Sequence, residues 1–288
     1  MTISTWTRRI AGTLALCMAT VSHAGELLID SVKSAALGTD LPFTIYLPDG
    51  YKDGTAKLPV VYLLHGAGGN EYEWARKGGA VETLDGLIKR GLIRPVVAIM
   101  PTAGPDSWWA DGASAKAETA MITELLPYVE GKYRVSTDRS ARSIAGLSMG
   151  GYGALNLSLR YPAKFCAAGI ISPAIYDPLP PETSASRRAT QFMRNGKFDE
   201  ATWKALNYPA HLEKYTQSPQ KVPMWIVSGD HDFLGIAVMS ANLYWRVLKI
   251  QPKLAELRVV DGDHEWLTFR DALPDALQYI DRQCTKAP

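Results

Sequence analysis

A serine between glycines stands where a predicted strand meets a predicted helix. The pentapeptide Gly146-Leu147-Ser148-Met149-Gly150 follows the apolar run 143–147 and opens the helical pattern 149–160. Glycines permit a sharp strand-to-helix turn, which would hold the Ser148 hydroxyl above a sheet, near the positive end of the helix. The pattern therefore predicts a nucleophilic serine. A glycine-rich turn that only packs a strand against a helix is the alternative.

A serine hydroxyl needs a neighbouring base to act as a nucleophile at neutral pH. In the chain order serine, acid, histidine, the base follows the last strand, and His264 lies after the run 257–260. The acid is expected after the preceding strand, where Asp230 and Asp232 both follow the run 224–227. We favour Asp232, which lies past the tight bend of that loop. Asp230 remains the alternative.

Acyl transfer also requires N–H donors for the oxyanion of the tetrahedral intermediate. The backbone N–H of Met149, directly after the serine, is one predicted donor. A second is expected from the glycine-rich loop 65–69 that follows the run 60–64, and Ala67 is the predicted donor there. We expect His65 to brace this loop rather than to act as a base.

Three tryptophans fall in loops at the predicted carboxyl edge of the sheet. Trp108, Trp109 and Trp266 are predicted to bind substrate, because aromatic walls suit a partly apolar ligand. Core packing beneath the loops is the alternative for these indoles.

Several acids and histidines in the loops after the last two predicted strands could also be metal ligands. They are Asp230, His231, Asp232, Asp261, Asp263 and His264. A metal site would leave Ser148 and the glycine-rich loop without a role. We therefore predict that the chain uses no metal and no cofactor.

Short apolar runs alternate with longer helical patterns, which predicts an α/β fold. The strand-like runs are 43–47, 60–64, 96–100, 143–147, 167–171, 224–227 and 257–260. The helix candidates are 81–90, 116–132, 149–160, 236–250 and 266–282, and Pro127 is expected to kink the second. From the third onward the runs are continuously apolar, as in strands covered on both faces. We predict a mostly parallel, doubly wound sheet with helices on both faces.

A proline-containing segment, residues 176–222, interrupts this alternation. Insertions of this length inside a compact domain are usually functional. We predict a cap over a site at the carboxyl ends of the strands. The alternative is a mobile surface excursion.

The first 24 residues have the layout of a secretory signal peptide. Arg8 and Arg9 precede the apolar run 10–21, and Ser22-His23-Ala24 offers a cleavage site. A buried first helix is the alternative. We predict a signal peptide at 1–24 and one domain at 25–288. No apolar run approaches the roughly 20 residues of a transmembrane helix, so no membrane association is expected after cleavage.

Composition narrows the class of protein further. The 288 residues are 47% hydrophobic and 21% charged, which excludes intrinsic disorder. Without residues 1–24 the chain has 29 basic and 29 acidic residues and no basic run, so no nucleic-acid partner is expected. Cys166 and Cys284 remain, and export permits a disulfide between them, but buried free thiols are equally compatible. The sequence does not indicate an oligomeric state.

Five segments together resemble the esterase D, tributyrin esterase and feruloyl esterase group, whose relatives include S-formylglutathione hydrolases and mycolyltransferases. The segments are 60–66, 107–111, 146–154, 229–234 and 262–266. The resemblance extends over about residues 40–282. It implies an α/β-hydrolase fold and carboxylic ester hydrolysis through an acyl-enzyme. It also implies the catalytic set Ser148, Asp232 and His264 with oxyanion donors at Ala67 and Met149.

These observations predict a secreted or periplasmic serine carboxylesterase. Its substrate is expected to be a small-molecule ester with a small acyl group, feruloyl or acetyl esters included. One alternative is an acyltransferase that moves an acyl group to a sugar or another alcohol. A second is an S-formylglutathione hydrolase-like thioesterase, although export would separate it from cytosolic glutathione. A third is a binding protein on a hydrolase scaffold.

Overall fold

The computed structural model describes residues 25–113 and 115–286, so the predicted signal peptide lies outside the described residues. The strands are β1 (Glu26–Ser34), β2 (Thr39–Leu47), β3 (Val60–Leu64), β4 (Val97–Pro101), β5 (Arg142–Leu147), β6 (Ala168–Ile171), β7 (Met193–Arg194), β8 (Lys197–Phe198), β9 (Met224–Gly229) and β10 (Ala255–Val260). The α-helices are α1 (Glu73–Arg76), α2 (Ala80–Lys89), α3 (Ala117–Thr119), α4 (Leu126–Lys132), α5 (Met149–Arg160), α6 (Glu200–Leu206), α7 (Leu212–Gln217), α8 (Ile236–Ile250) and α9 (Trp266–Lys286). Shorter 3₁₀ turns cover Arg139–Ala141, Ala185–Arg188, Thr190–Phe192 and Tyr208–His211.

Eight of these strands form one sheet in the order β1-β2-β4-β3-β5-β6-β9-β10. Strand β2 pairs antiparallel with both of its neighbours, and every pair from β4 to β10 is parallel. The predicted mostly parallel sheet of an α/β-hydrolase is thereby confirmed. Parallel strands end at one edge, so the loops that follow β3, β5, β9 and β10 meet there.

Helices cover both faces of the sheet, and the side chains of each strand divide between them. On β3, Tyr62 packs in the core beneath α5 and α8, whereas Val61 and Leu63 pack in the core beneath α2 and α9. Burial on both faces explains why the central strands read as continuous apolar runs. Within the described residues, no helix is long and apolar enough to cross a membrane.

Strand β1 is absent from the prediction. It is an edge strand, and apolar side chains on it such as Ile29 remain largely exposed to solvent. A strand of this kind lacks the apolar run by which the central strands were recognised.

The predicted helix 116–132 is interrupted before Pro127. It begins as α3, continues as the π-helical segment Ala120–Leu125, and ends as α4, in whose first turn Pro127 lies. Proline has no N–H to donate, and the first turn of a helix needs none there. The interruption that was expected as a kink is thus a π-helical segment.

A disulfide joins Cys166, in the loop that leads into β6, to Cys284 of α9, with the Cα atoms 5.1 Å apart. The sequence alone left a disulfide and free thiols equally open. The bridge lies at the amino ends of the parallel strands. The loops that carry the predicted site lie at the opposite edge of the sheet, at the carboxyl ends of the same strands.

The segment 176–222, called the insertion below, is attached to the domain by buried aromatic side chains. Trp203 of α6 is fully buried and contacts Tyr152 of α5, with ring centroids 5.7 Å apart. The Tyr152 hydroxyl donates to the carbonyl of Leu206 at 2.6 Å, and the Trp203 indole donates to the carbonyl of Tyr176 at 3.2 Å. These contacts hold the base of the insertion against the domain.

Candidate active site

Ser148 occupies the turn between β5 and α5 with φ of 53° and ψ of −116°, a conformation that non-glycine residues rarely adopt. The turn is tight enough to require its glycines. A Cβ at Gly146 would lie 2.2 Å from the carbonyl oxygen of Gly150, and a Cβ at Gly150 would lie 2.2 Å from that of Leu64. The Ser148 N–H donates to the carbonyl of Ile171 at 3.0 Å. The packed backbone thus holds a strained serine at the carboxyl edge of the sheet.

The structure brings Ser148, His264 and Asp232 into one hydrogen-bonded row. His264 Nε2 lies 2.9 Å from Ser148 Oγ, and His264 Nδ1 lies 2.7 Å from Asp232 Oδ2. The Asp232 side chain has no exposed surface, and its Oδ1 accepts the N–H of Leu234 at 3.0 Å. A carboxylate beside Nδ1 favours the tautomer with its proton there, which leaves the Nε2 lone pair facing the serine hydroxyl.

The loops after β9 and β10 touch along their backbones. The His231 N–H donates to the Gly262 carbonyl at 3.0 Å. A Cβ at Gly229 would lie 2.1 Å from that oxygen, so only glycine permits this approach. Gly262 has φ of +155°, and a Cβ there would lie 2.4 Å from the Thr268 hydroxyl. This contact fixes the separation of the carboxylate and imidazole that the two loops carry.

Asp230, the alternative acid, contacts Gly262 and His231 rather than the His264 imidazole. Its Oδ1 accepts the N–H of Gly262 at 3.2 Å and lies 2.8 Å from His231 Nδ1. The hydrogen bond from Gly262 lowers the pKa of Asp230 because it stabilises the charged carboxylate. Asp230 therefore braces the two loops against each other on their exposed side.

Part of the metal-like group of acids and histidines does cluster. The ligand atoms of Asp230, His231 and Asp261 lie within 4.8 Å of one another, and all three residues are exposed. Asp232 and His264 lie outside this cluster: Asp232 contacts His264, and His264 contacts Ser148. The geometry thus separates the row at the serine from the surface acids.

The glycine-rich loop 65–69 lies against the turn between β5 and α5 that holds Ser148. A Cβ at Gly66 would lie 2.7 Å from Leu147 Cδ1 and 3.4 Å from Ser148 Cβ. Ala67 and Ser148 line the same cavity. Within the described part of the chain, the N–H groups of Ala67 and Met149 donate to no other protein group. Both are available to an oxygen bound beside the serine.

The His65 side chain fixes the start of the glycine-rich loop 65–69. Its Nδ1 lies 2.8 Å from the Gly66 carbonyl, which can only accept, so Nδ1 carries the proton. Its Nε2 lies 2.9 Å from the Thr102 hydroxyl, and the Trp109 indole donates to the His65 carbonyl at 3.3 Å. Burial lowers the pKa of His65 to about 4, so the ring is neutral at physiological pH.

A cavity of about 360 Å³ opens beside the serine. Its walls come from the glycine-rich loop 65–69, the turn at Ser148, the insertion and the loops after β9 and β10. The apolar lining residues include Leu147, Phe233, Leu234, Trp266 and Phe269. The charged lining residues, apart from His264, are Glu73, Lys77 and Arg188. This is a site for a small, partly apolar molecule.

Of the three tryptophans predicted to bind substrate, the structure places only Trp266 in the cavity wall. Trp108 and Trp109 are each 1% exposed and lie in the core below it. Trp108 packs edge-on against Phe192, and Trp109 packs so closely on α5 that a Cβ at Gly153 would lie 2.5 Å from it. The substrate-binding prediction for these two is therefore corrected to a packing role, because their loop folds inward.

The sequence analysis missed two prominent lining residues. Phe233 directly follows Asp232, and its 74% exposed side chain stands at the edge of the cavity. Arg188 belongs to the insertion, far along the chain from the motifs. Adjacency to the acid was an available signal for Phe233. No spacing rule identifies Arg188, because only the packing of the insertion brings it to the cavity.

Comparison with known proteins shows which family of sequences the chain resembles. The family model described as "Putative esterase" matches residues 34–280. An esterase of Mycobacterium tuberculosis is 32% identical over 143 residues, which are 47% of this chain and 30% of that protein. An endo-1,4-beta-xylanase/feruloyl esterase of Xylanibacter ruminicola is 35% identical over 143 residues, which are 46% of this chain and 20% of that protein. The matched region thus spans less than a third of either relative.

Similarity to a solved structure extends over most of the chain. A ferulic acid esterase superposes with a TM-score of 0.76 and 28% sequence identity. The superposition covers 90% of this chain and 98% of that one. The overall fold of the chain is therefore that of a known esterase structure.

Proposed function

Because this chain belongs to the esterase family whose model it matches, we propose that it is a serine carboxylesterase that uses Ser148, His264 and Asp232. The observation that carries the proposal is the 2.9 Å contact between His264 Nε2 and Ser148 Oγ at the cavity. The buried Asp232 carboxylate on the other side of the imidazole orients the ring.

In the first half of the reaction, Ser148 Oγ attacks the ester carbonyl and His264 Nε2 accepts the hydroxyl proton. Asp232 stabilises the imidazolium without taking its proton. The negative charge that develops on the carbonyl oxygen is stabilised by the N–H groups of Ala67 and Met149, and loss of one such donor typically costs about 10²–10³ in kcat. The C–O bond to the alcohol then breaks, and His264 returns the proton to the leaving oxygen.

In the second half, water attacks the acyl group that is esterified to Ser148. His264 accepts a proton from this water, and the same two N–H groups stabilise the second tetrahedral intermediate. Collapse releases the carboxylic acid, and the proton returns to Ser148 Oγ. No group beyond this chain and water is required.

We propose small acyl esters, with acetyl and feruloyl esters as candidates, as the substrate class. The cavity volume of about 360 Å³ lies towards the lower end of the range for ligand sites. Phe233 and Trp266 give it an aromatic rim against which an aromatic or short alkyl acyl group can pack. The names of two similar proteins, both feruloyl or ferulic acid esterases, support this choice.

We also propose that the protein is exported, with residues 1–24 as its signal peptide and the insertion as a cap on the site. The Cys166–Cys284 disulfide supports export, since such bridges persist in oxidising compartments. The same bridge argues against an S-formylglutathione hydrolase, whose substrate belongs to the reducing cytosol. Amino-terminal sequencing of protein recovered from the periplasm or medium is expected to begin at Gly25.

The direct test measures hydrolysis of 4-nitrophenyl acetate, 4-nitrophenyl butyrate and methyl ferulate, with labelling by a fluorophosphonate probe. Ser148→Ala is expected to abolish both activity and labelling. Ser31→Ala, an exposed serine on β1, is the matched control and is expected to retain both. Wild-type turnover in Ser148→Ala would refute the assignment. Transesterified product in the presence of an added sugar or alcohol would reassign the protein as an acyltransferase.

A further inference from the structure

The charges around the cavity do not balance. Of its charged lining residues, Lys77 and Glu73 form an ion pair, with Nζ 3.0 Å from Oε2, and so compensate each other. Among the described residues, the guanidinium of Arg188 has neither an ion pair nor a hydrogen bond. Asp232 carries its charge behind His264 and does not line the cavity. One cation, Arg188, therefore lines the cavity without a partner among the described residues.

The neighbouring arginine shows that this lack of a partner is particular to position 188. Arg187 Nε donates to the Pro180 carbonyl at 2.9 Å, and its Nη2 lies 3.0 Å from Glu182. Its guanidinium also lies over the Phe198 ring, 4.5 Å from the centroid. Arg187 is thus tied into the insertion, whereas Arg188 is turned to the cavity.

The backbone that carries Arg188 is well held. It ends the 3₁₀ turn Ala185–Arg188, between the fully buried Ser186 and the nearly buried Ala189. The point at which its side chain is attached is therefore fixed at the cavity. A charged group presented from a fixed position can select among ligands.

A guanidinium offers a planar set of N–H donors that matches a carboxylate in bidentate geometry. Given the proposed esterase function, on which this inference rests, we propose that the preferred substrate carries a carboxylate apart from its ester group and that Arg188 binds it. The apolar rim of Phe233 and Trp266 then contacts the carbon skeleton between the ester group and the carboxylate of the substrate. Beside α1 the Lys77 ammonium is already paired with the Glu73 carboxylate, so that side of the cavity attracts an anion less than the unpaired Arg188 does.

The test compares pairs of esters in which a second carboxyl group is either free or methylated, and it follows release of 4-nitrophenol or acetate only. On the acyl side, 4-nitrophenyl hemiglutarate is compared with its methyl ester. On the alcohol side, 3-acetoxybenzoate is compared with methyl 3-acetoxybenzoate. The measured quantity is the ratio of kcat/KM for the anionic ester to that for the neutral ester, in the wild type and in Arg188→Gln, Arg188→Glu and Arg194→Gln.

In one of the two series, Arg188→Gln is expected to lower this ratio by about 10- to 100-fold, the value of a charge-assisted hydrogen bond. Arg188→Glu is expected to lower it further, and added salt to lower the wild-type ratio. Arg194→Gln, which removes an exposed arginine of the same insertion away from the cavity, is expected to leave the ratio unchanged. The series that responds identifies which side of the ester carries the carboxylate.

Equal ratios in the wild type and Arg188→Gln in both series would overturn the inference, as would an equal change in Arg194→Gln. A wild type that hydrolyses the neutral esters while showing no dependence on Arg188 would leave the esterase proposal intact. A wild type that hydrolyses none of the four esters would contradict both. Fluorophosphonate labelling of each variant reports whether its site is correctly folded.

Discussion

The Asp232 carboxylate and the His264 imidazole lie 2.7 Å apart, although 32 residues separate them in the sequence. They follow β9 and β10, two adjacent parallel strands that end at the same edge of the sheet. The carboxylate is fully buried and the imidazole is 12% exposed. This pair therefore operates largely away from water, where an electrostatic interaction is strongest.

Asp232→Asn is expected to reduce kcat by about 10⁴-fold, because the amide no longer favours the His264 tautomer that can accept the serine proton. Asp230→Asn is the matched control, since Asp230 lies two residues away and contacts Gly262 rather than His264. It is expected to change kcat by no more than a few-fold. Steady-state hydrolysis of 4-nitrophenyl butyrate measures both. A larger loss in Asp230→Asn than in Asp232→Asn would reverse the assignment of the acid.

His65 is expected to make stability depend on pH. Burial lowers its folded-state pKa to about 4, whereas a free histidine has a pKa near 6.5. Between these values the unfolded chain binds a proton that the folded chain does not, so the free energy of unfolding falls as pH falls. The slope from this one group is at most about 1.4 kcal/mol per pH unit.

His65→Asn keeps a donor for the Gly66 carbonyl but has no imidazole to protonate. Denaturant unfolding between pH 4.5 and 6.5 is expected to give a shallower pH dependence for this variant than for the wild type. Parallel pH dependences would show that His65 is not held neutral by burial.

The glycines of the turn at Ser148 are expected to be irreplaceable. A Cβ at Gly146 would meet the Gly150 backbone at 2.2 Å, so Gly146→Ala is expected to cost several kcal/mol or to prevent folding. Gly86 of α2 has open space around a Cβ, and Gly86→Ala is expected to stabilise the protein by up to about 1 kcal/mol. Thermal unfolding of the two variants tests this contrast. Similar midpoints for both would contradict the packing described for the turn.

The disulfide is expected to contribute to stability and not to catalysis. It connects residues 118 positions apart, and a loop of this size corresponds to about 5 kcal/mol in the chain-entropy account. The double variant Cys166→Ser/Cys284→Ser is expected to unfold at lower denaturant concentration, with kcat/KM of the folded protein retained. The bridge lies at the amino edge of the sheet, away from Ser148. Wild type treated with a reductant is the control and is expected to match the double variant.

Much of this fold could be predicted because its determinants are local in the sequence. Continuous apolar runs marked the central strands, since those strands are buried on both faces. The glycines around Ser148 marked a turn that no larger residue can make. The chain order serine, acid, histidine, taken as a premise, then pointed to the loops after the last two strands for the acid and the base.

The remaining features were decided by contacts between distant segments. The sequence favoured Asp232 over Asp230 without excluding Asp230. The side on which each carboxylate lies depends on how two loops pack at Gly229 and Gly262. Trp108 is buried against Phe192 and Trp203, which lie far along the chain in the insertion. Arg188 reached the cavity only through the packing of the insertion. Composition and spacing specify which segments are buried, but the direction of a loop side chain is set by its tertiary neighbours.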